Sequence, residues 1–114
     1  MNVLLVDDDD AVRLTIGALL EDDGHIVLEA ATIAAARDRL GDAFELAIVD
    51  LHLPDGSGTT LIAELRARRP DVVVVLLTGA DAERGEADFV VAKDRSPAEI
   101  IALAAPLVAA RRGP

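Results

Sequence analysis

The chain contains no cysteine. That removes disulfide-stapled scaffolds, thiolate zinc sites and cysteine-nucleophile enzymes together. Histidine is nearly absent: His25 and His52 are too few for a metal centre built from imidazoles. Basic side chains are outnumbered, 11 against 21 acidic ones, leaving a formal net charge of -10 at pH 7. A surface of that sign repels phosphate backbones, so no nucleic-acid partner is expected. Long apolar runs are also missing. The longest, Ile100 to Ala110, holds 11 residues and includes Pro106, whereas a membrane-spanning helix needs about 20. The apolar start has no basic flank and runs straight into Asp7–Asp10, unlike a signal peptide. The expectation is a soluble cytoplasmic chain with no membrane partner.

What is present is 114 residues, 52% of them hydrophobic, enough for one domain over 1–114 with a core that needs no staples. Short β-branched runs alternate with longer helical patterns, the signature of an α/β fold with a parallel sheet covered by helices. Val3 to Val6 reads as a first strand, apolar without alternation because both faces are covered. Asp9 or Asp10 caps a helix running to about Asp22, with Val12, Ile16, Leu19 and Leu20 on its inner stripe and Gly24 ending it. Ile26 to Leu28 is a second strand. Thr32 opens a helix carrying Ile33, Ala36 and Leu40 and stopped by Gly41.

Leu46 to Val49 is a third strand ending at Asp50, and Leu51 to Gly58 is a Pro/Gly-rich loop before a helix carrying Leu61, Ile62 and Leu65. Val72 to Leu77, ending at Thr78, and Phe89 to Ala92, ending at Lys93, complete five strands. Ser96-Pro97-Ala98-Glu99 is a capping box for the last helix, which Pro106 is expected to kink or split. Gly79 to Asp88 breaks the rhythm. It has no apolar stripe, so the helix due between the last two strands is reduced to a loop or a single turn.

In a doubly wound sheet, functional groups gather at the carboxyl ends of the strands. Those ends carry Asp7, Asp8, Asp50, Thr78 and Lys93. Alone, each has an ordinary explanation: Asp7–Asp10 as a helix N-terminus, Thr78 as a strand end, Lys93 as a solvated lysine. Together at one edge they make a site. Three converging carboxylates repel one another and are tolerable around a divalent cation, and hard oxygen donors without His or Cys side chains point to Mg²⁺. The cation, the Lys93 ammonium and the Thr78 hydroxyl can cradle a phosphoryl group, and a carboxylate can accept that group as an acyl phosphate. Asp50, standing alone at its strand end, is the natural acceptor.

Val-Leu-Leu-Val-Asp-Asp-Asp-Asp (3–10), Ile-Val-Asp-Leu-His-Leu-Pro-Asp-Gly-Ser-Gly (48–58), Leu-Leu-Thr-Gly (76–79) and Val-Val-Ala-Lys (90–93) resemble the receiver domain of two-component response regulators, over essentially the whole chain. The resemblance implies a flavodoxin-like, doubly wound, five-stranded parallel sheet. It implies that Asp50 is phosphorylated by a histidine kinase or phosphotransfer protein, with signalling through a downstream effector. It also implies that Asp8 binds Mg²⁺ directly, Asp7 mostly through water, and His52 through its backbone carbonyl. Thr78, Gly79 and Lys93 then follow the phosphoryl group, and Pro54 and Gly58 shape the loop. On the resemblance the chain is not an enzyme acting on a separate substrate; it catalyses only its own phosphorylation and dephosphorylation.

The chain departs from the pattern in places. Only fifteen positions separate Thr78 from Lys93, Asp94 stands where a proline is usual, and the aromatic switch position falls at Val90, with Phe89 beside it. A subgroup of receivers with Thr-Gly after the fourth strand and a reduced fourth helix looks similar. Movement of Thr78 would then shift the 79–88 segment by an order–disorder change. His52 and Ala80, each two positions past a site residue, are expected to tune hydrolysis. Two alternatives stand beside this reading. One is a haloacid-dehalogenase-type phosphohydrolase using Asp7, and the other is a pseudo-receiver that binds a partner without phosphate.

Overall fold

The computed structural model describes residues 1–79 and 82–112. The chain runs β1 (Asn2–Val6), α1 (Asp10–Asp22), β2 (Ile26–Ala30), α2 (Ile33–Arg37), β3 (Leu46–Asp50), β4 (His52–Leu53), β5 (Gly56–Ser57), α3 (Gly58–Arg68), β6 (Val73–Thr78), β7 (Phe89–Ala92) and α4 (Pro97–Arg112). Five strands form one parallel sheet in the order β2-β1-β3-β6-β7, as the alternation of strands and helices leads one to expect.

Burial on both faces explains the apolar runs of the inner strands β1, β3 and β6. Val3, Leu5, Leu46, Ile48, Val73, Val75 and Leu77 pack with Leu20 of α1 and with Ile100, Ala104 and Val108 of α4. The alternate residues Leu4, Val6, Ala47, Val49, Val74 and Leu76 meet Ile33 and Ala36 of α2 and Leu61, Ile62 and Leu65 of α3. Strand side chains alternate between faces, so an uninterrupted apolar run feeds both layers at once.

Several boundaries differ from the sequence expectation. Asp9 is the N-cap of α1, accepting from the Val12 N–H at 3.1 Å, but Val12 and Leu19 remain 37% and 46% exposed. The stripe is narrower than its periodicity suggested: Gly17 and Leu20 are the buried positions. Gly24 adopts φ +89°, the left-handed conformation that lets the chain leave the helix. β2 extends to Ala30. α2 is capped by Thr32 but stops at Arg37, and the chain reaches the buried Leu40 in turns. The loop after Asp50 contains a small hairpin, β4 against β5. Pro106 does not split α4; its ring lies on the exposed side, where the Ala102 carbonyl that it leaves unbonded can turn to water.

No helix occurs among the described residues between β6 and β7, matching the lack of an apolar stripe. Instead Ala87, 3% exposed, enters the core on the α2–α3 side. Asp88 then anchors the segment, accepting from the Val74 N–H at 2.8 Å, from Arg66 at 2.8 Å and from Arg111 at 2.6 and 2.9 Å. Arg69 performs a similar task nearby, donating to the Leu40, Asp42 and Phe44 carbonyls and stacking 4.6 Å from the Phe44 ring. Among the described residues no helix is long and apolar enough to cross a membrane.

Candidate functional site

Parallel pairing carries Asp7, Asp50, Thr78 and Lys93 to one edge, and the ladders run a residue beyond the strands to hold them there. The Asp7 N–H donates to the Ala30 carbonyl at 3.1 Å, Leu51 to Leu77 at 2.9 Å, and Lys93 to Thr78 at 3.1 Å. The polar side chains at these ends are therefore set by backbone bonds between strands rather than by mobile loops. Asp7 is 0% exposed, Asp50 1% and Thr78 5%, while Asp8 faces solvent.

Asp50 accepts from the Lys93 ammonium at 2.8 Å through Oδ2 and, weakly, from the His52 N–H at 3.4 Å through Oδ1. Carboxylate oxygens of Asp7, Asp8 and Asp50 all lie within 4.8 Å of one another. Asp7 Oδ1 accepts from the Asp9 N–H at 2.9 Å, but Oδ2 is buried with no hydrogen-bond partner among the described residues. Burial drives the Asp7 carboxyl above its usual range; the Asp9 N–H and Lys93 oppose this, and the charges of Asp50 and Asp8 add to it. Burial alone would lower the Lys93 pKa. The Asp50 hydrogen bond and charge, with Asp7 and Asp8 behind it, outweigh burial and leave it raised.

One ammonium thus faces three carboxylates, and a buried acceptor is left without a donor. A buried acceptor without a donor is costly, and a hard divalent cation among the oxygens answers both the charge and the missing partner. The donor set fits Mg²⁺.

Gly58 enforces the geometry behind Asp50. Its N–H donates to the Leu51 carbonyl at 2.7 Å, and a Cβ there would run into the Asp50 carbonyl oxygen. Only glycine lets α3 begin so close to the acceptor's backbone. Ser57 caps α3 by accepting from the Thr59 N–H at 3.2 Å.

Gly79 follows Thr78 and is exposed. Phe89 packs partly against the α1–α4 core and Val90 against the α2–α3 core. Ala80 lies outside the described residues. Sequence reasoning passed over Arg13, whose side chain, 15% exposed, donates to the Asp7 carbonyl at 2.7 Å while pairing with Glu29 at 3.1 Å and Asp10 at 2.7 Å. The Asp10 pair was visible as an i, i+3 spacing. The bond to a backbone carbonyl leaves no mark in a sequence.

A family model, the response regulator receiver domain, matches residues 3–104. The chain is 34% identical to the transcriptional regulatory protein AruR of Pseudomonas aeruginosa, covering 93% of this chain and 48% of that protein. It spans less than half the length of the curated relatives it matches. A CheY-like receiver domain protein from Methanospirillum hungatei superposes with a TM-score of 0.89 at 26% identity, over 97% of this chain and 95% of the other. The response regulator TrrA of Thermotoga maritima, solved with Mg(2+)-BeF, gives a TM-score of 0.84 at 25% identity, over 93% and 97%.

Proposed function

The chain belongs to the response regulator receiver domain family of two-component signalling, and from that premise we propose that it accepts a phosphoryl group on Asp50. One observation carries the assignment of the residue. Asp50 is 1% exposed at the end of β3 and bonded to the Lys93 ammonium, with the Asp7 and Asp8 carboxylates within 4.8 Å. The family membership takes precedence over the Asp7 phosphohydrolase alternative.

In the proposed step an Asp50 carboxylate oxygen attacks phosphorus. A new O–P bond forms as the bond between phosphorus and the donor breaks, and the donor's leaving atom (the imidazole nitrogen of a phosphohistidine) keeps the electron pair. Lys93, already on Asp50, shifts its ammonium to a phosphoryl oxygen, while the Thr78 hydroxyl and the Gly79 N–H follow the new charge. Asp7, Asp8, Asp50 and the His52 carbonyl would hold Mg²⁺, which would supply positive charge to offset the carboxylates and the phosphoryl oxygens. The donor is a histidine kinase or phosphotransfer protein, and output passes to an effector protein in the cytoplasm. The chain acts on no other substrate. One sheet and its two packed faces support treating 1–114 as a single domain.

Intact mass after incubation with a small-molecule phosphodonor tests this. One phosphoryl group is expected, dependent on Mg²⁺ and absent in Asp50→Asn. Modification that persists in Asp50→Asn would return the acceptor role to Asp7. A protein that stays unmodified with both the donor and a cognate kinase would be a phosphate-independent interaction module.

A further inference from the structure

Between the acceptor and α3 the chain makes a hairpin of only two paired positions, His52 with Ser57 and Leu53 with Gly56. A ladder that short has little stability of its own, so something else must hold it. At its base the Gly58 N–H bonds the Leu51 carbonyl at 2.7 Å. At its middle Leu53, 8% exposed, joins the core cluster that contains Ile33. At its tip the Asp55 carboxylate accepts from the first two N–H groups of α2, Ile33 at 2.8 Å through Oδ1 and Ala34 at 3.0 Å through Oδ2.

Those N–H groups have no partner within their helix, and the first turn of a helix favours negative charge. Thr32 takes the next one, accepting from the Ala35 N–H at 3.0 Å. The two α2 amides hold the Asp55 carboxyl below its usual range, so it stays charged at neutral pH. Gly56 adds close packing, since a Cβ on it would approach Ile33 Cδ1 to 3.1 Å. α2 is in turn joined to α3 by the two-pronged Arg37–Glu64 pair at 2.6 and 2.9 Å. The hairpin, α2 and α3 are thereby tied into one block. His52, whose carbonyl is the proposed cation ligand, sits in that hairpin two residues after Asp50.

We propose that Asp55 is a positioning residue for the cation site: by pinning the hairpin tip to the start of α2, it keeps the backbone at His52 and the carboxylate of Asp50 set to bind one cation together. This rests on the assignment of Asp7, Asp8, Asp50 and the His52 carbonyl as that site. Without the tether the hairpin keeps Leu53, its packing on Ile33 and its base bond but loses its hydrogen bonds to α2, and the cation must order the loop tip as it binds. That ordering appears as lost affinity.

NMR titration of the ¹⁵N-labelled chain with MgCl₂ reads this directly. Asp55→Ala should raise the Mg²⁺ dissociation constant about tenfold. Its rate of phosphorylation should fall at low Mg²⁺ and converge with wild type at saturation. Asp55→Asn, which keeps one acceptor oxygen, should fall between the two. Thr32→Ala removes the other α2 cap and leaves the tether intact, so it should melt earlier yet bind Mg²⁺ as wild type does. An Asp55→Ala chain with wild-type affinity, or a Thr32→Ala chain weakened to the same degree, overturns the role. A wild-type chain that binds no Mg²⁺ overturns the cation site itself, and this role of Asp55 with it.

Discussion

Asp7 has one carboxylate oxygen on the Asp9 N–H and a second that is buried without a partner among the described residues. Its carboxyl is held above its usual range chiefly by burial. A raised folded-state value means that the folded chain takes up this proton more readily than the unfolded chain. The resulting cost to stability is present at neutral pH and vanishes as pH falls below 3.8, the ordinary carboxyl value. Asp7→Asn removes that charge. Without Mg²⁺ it should stabilise the fold and raise the melting temperature. With Mg²⁺ the order should reverse, because only wild type gains from binding. Far-UV circular dichroism melts with and without Mg²⁺ check both; the chain has no Trp or Tyr to report by fluorescence.

The elements around β7 show how the chain is held where no helix occurs among the described residues between β6 and β7. Asp88, with its side chain 13% exposed, gathers Arg66 from α3, Arg111 from α4 and the Val74 N–H from β6. Burial pushes its carboxyl up, but the Arg111 hydrogen bond, the Val74 N–H and Arg66 outweigh burial and leave it below the usual range. A depressed folded-state value gives stability that is fully present above pH 3.8 and is lost as pH falls through the lower folded value. Asp88→Asn leaves two partly buried guanidinium groups short of an anion. It should cost about 2 kcal/mol at pH 7, less than breaking a fully buried pair because water still reaches the arginines. Urea denaturation across pH should show the gap between Asp88→Asn and wild type closing below pH 3.8.

Across the whole molecule the two ends of the sheet have opposite characters. At one end Arg66, Arg69 and Arg111 bind backbone carbonyls and Asp88, locking turns to helices. At the other, the Asp50 carboxylate bonds the Lys93 ammonium beside Asp7 and Asp8, and among the described residues from 79 to 88 only Ala87 joins the core. Weakly packed segments open first. Phosphorylation should therefore change amide exchange at Gly79 and across residues 82–87 while leaving Asp88 and the core strands protected. Hydrogen exchange read by mass spectrometry, with Asp50→Asn treated identically as the unphosphorylated control, checks this. Unchanged exchange in 82–87 would remove this segment as the route of the signal.

Much of this was legible in the linear chain because the forces involved are local or periodic. Apolar runs of four to six residues mark strands covered on both faces, Ser96-Pro97 marks a helix start, and polar residues placed just after such runs mark the sheet edge where Asp7, Asp50, Thr78 and Lys93 meet. The lack of a helix among the described residues between β6 and β7 was equally plain, since that segment has no apolar stripe to bury. The tertiary structure decided what depends on contacts between distant residues. Val12 and Leu19 stay exposed although their spacing suits burial. Arg13 bonds a carbonyl across the α1 start, and Asp55 caps a helix 22 positions away in sequence. Asp88 draws in arginines from two helices. Periodicity fixes which face a side chain takes, but a hydrogen bond to another segment's backbone exists only once the sheet order has brought the two segments together.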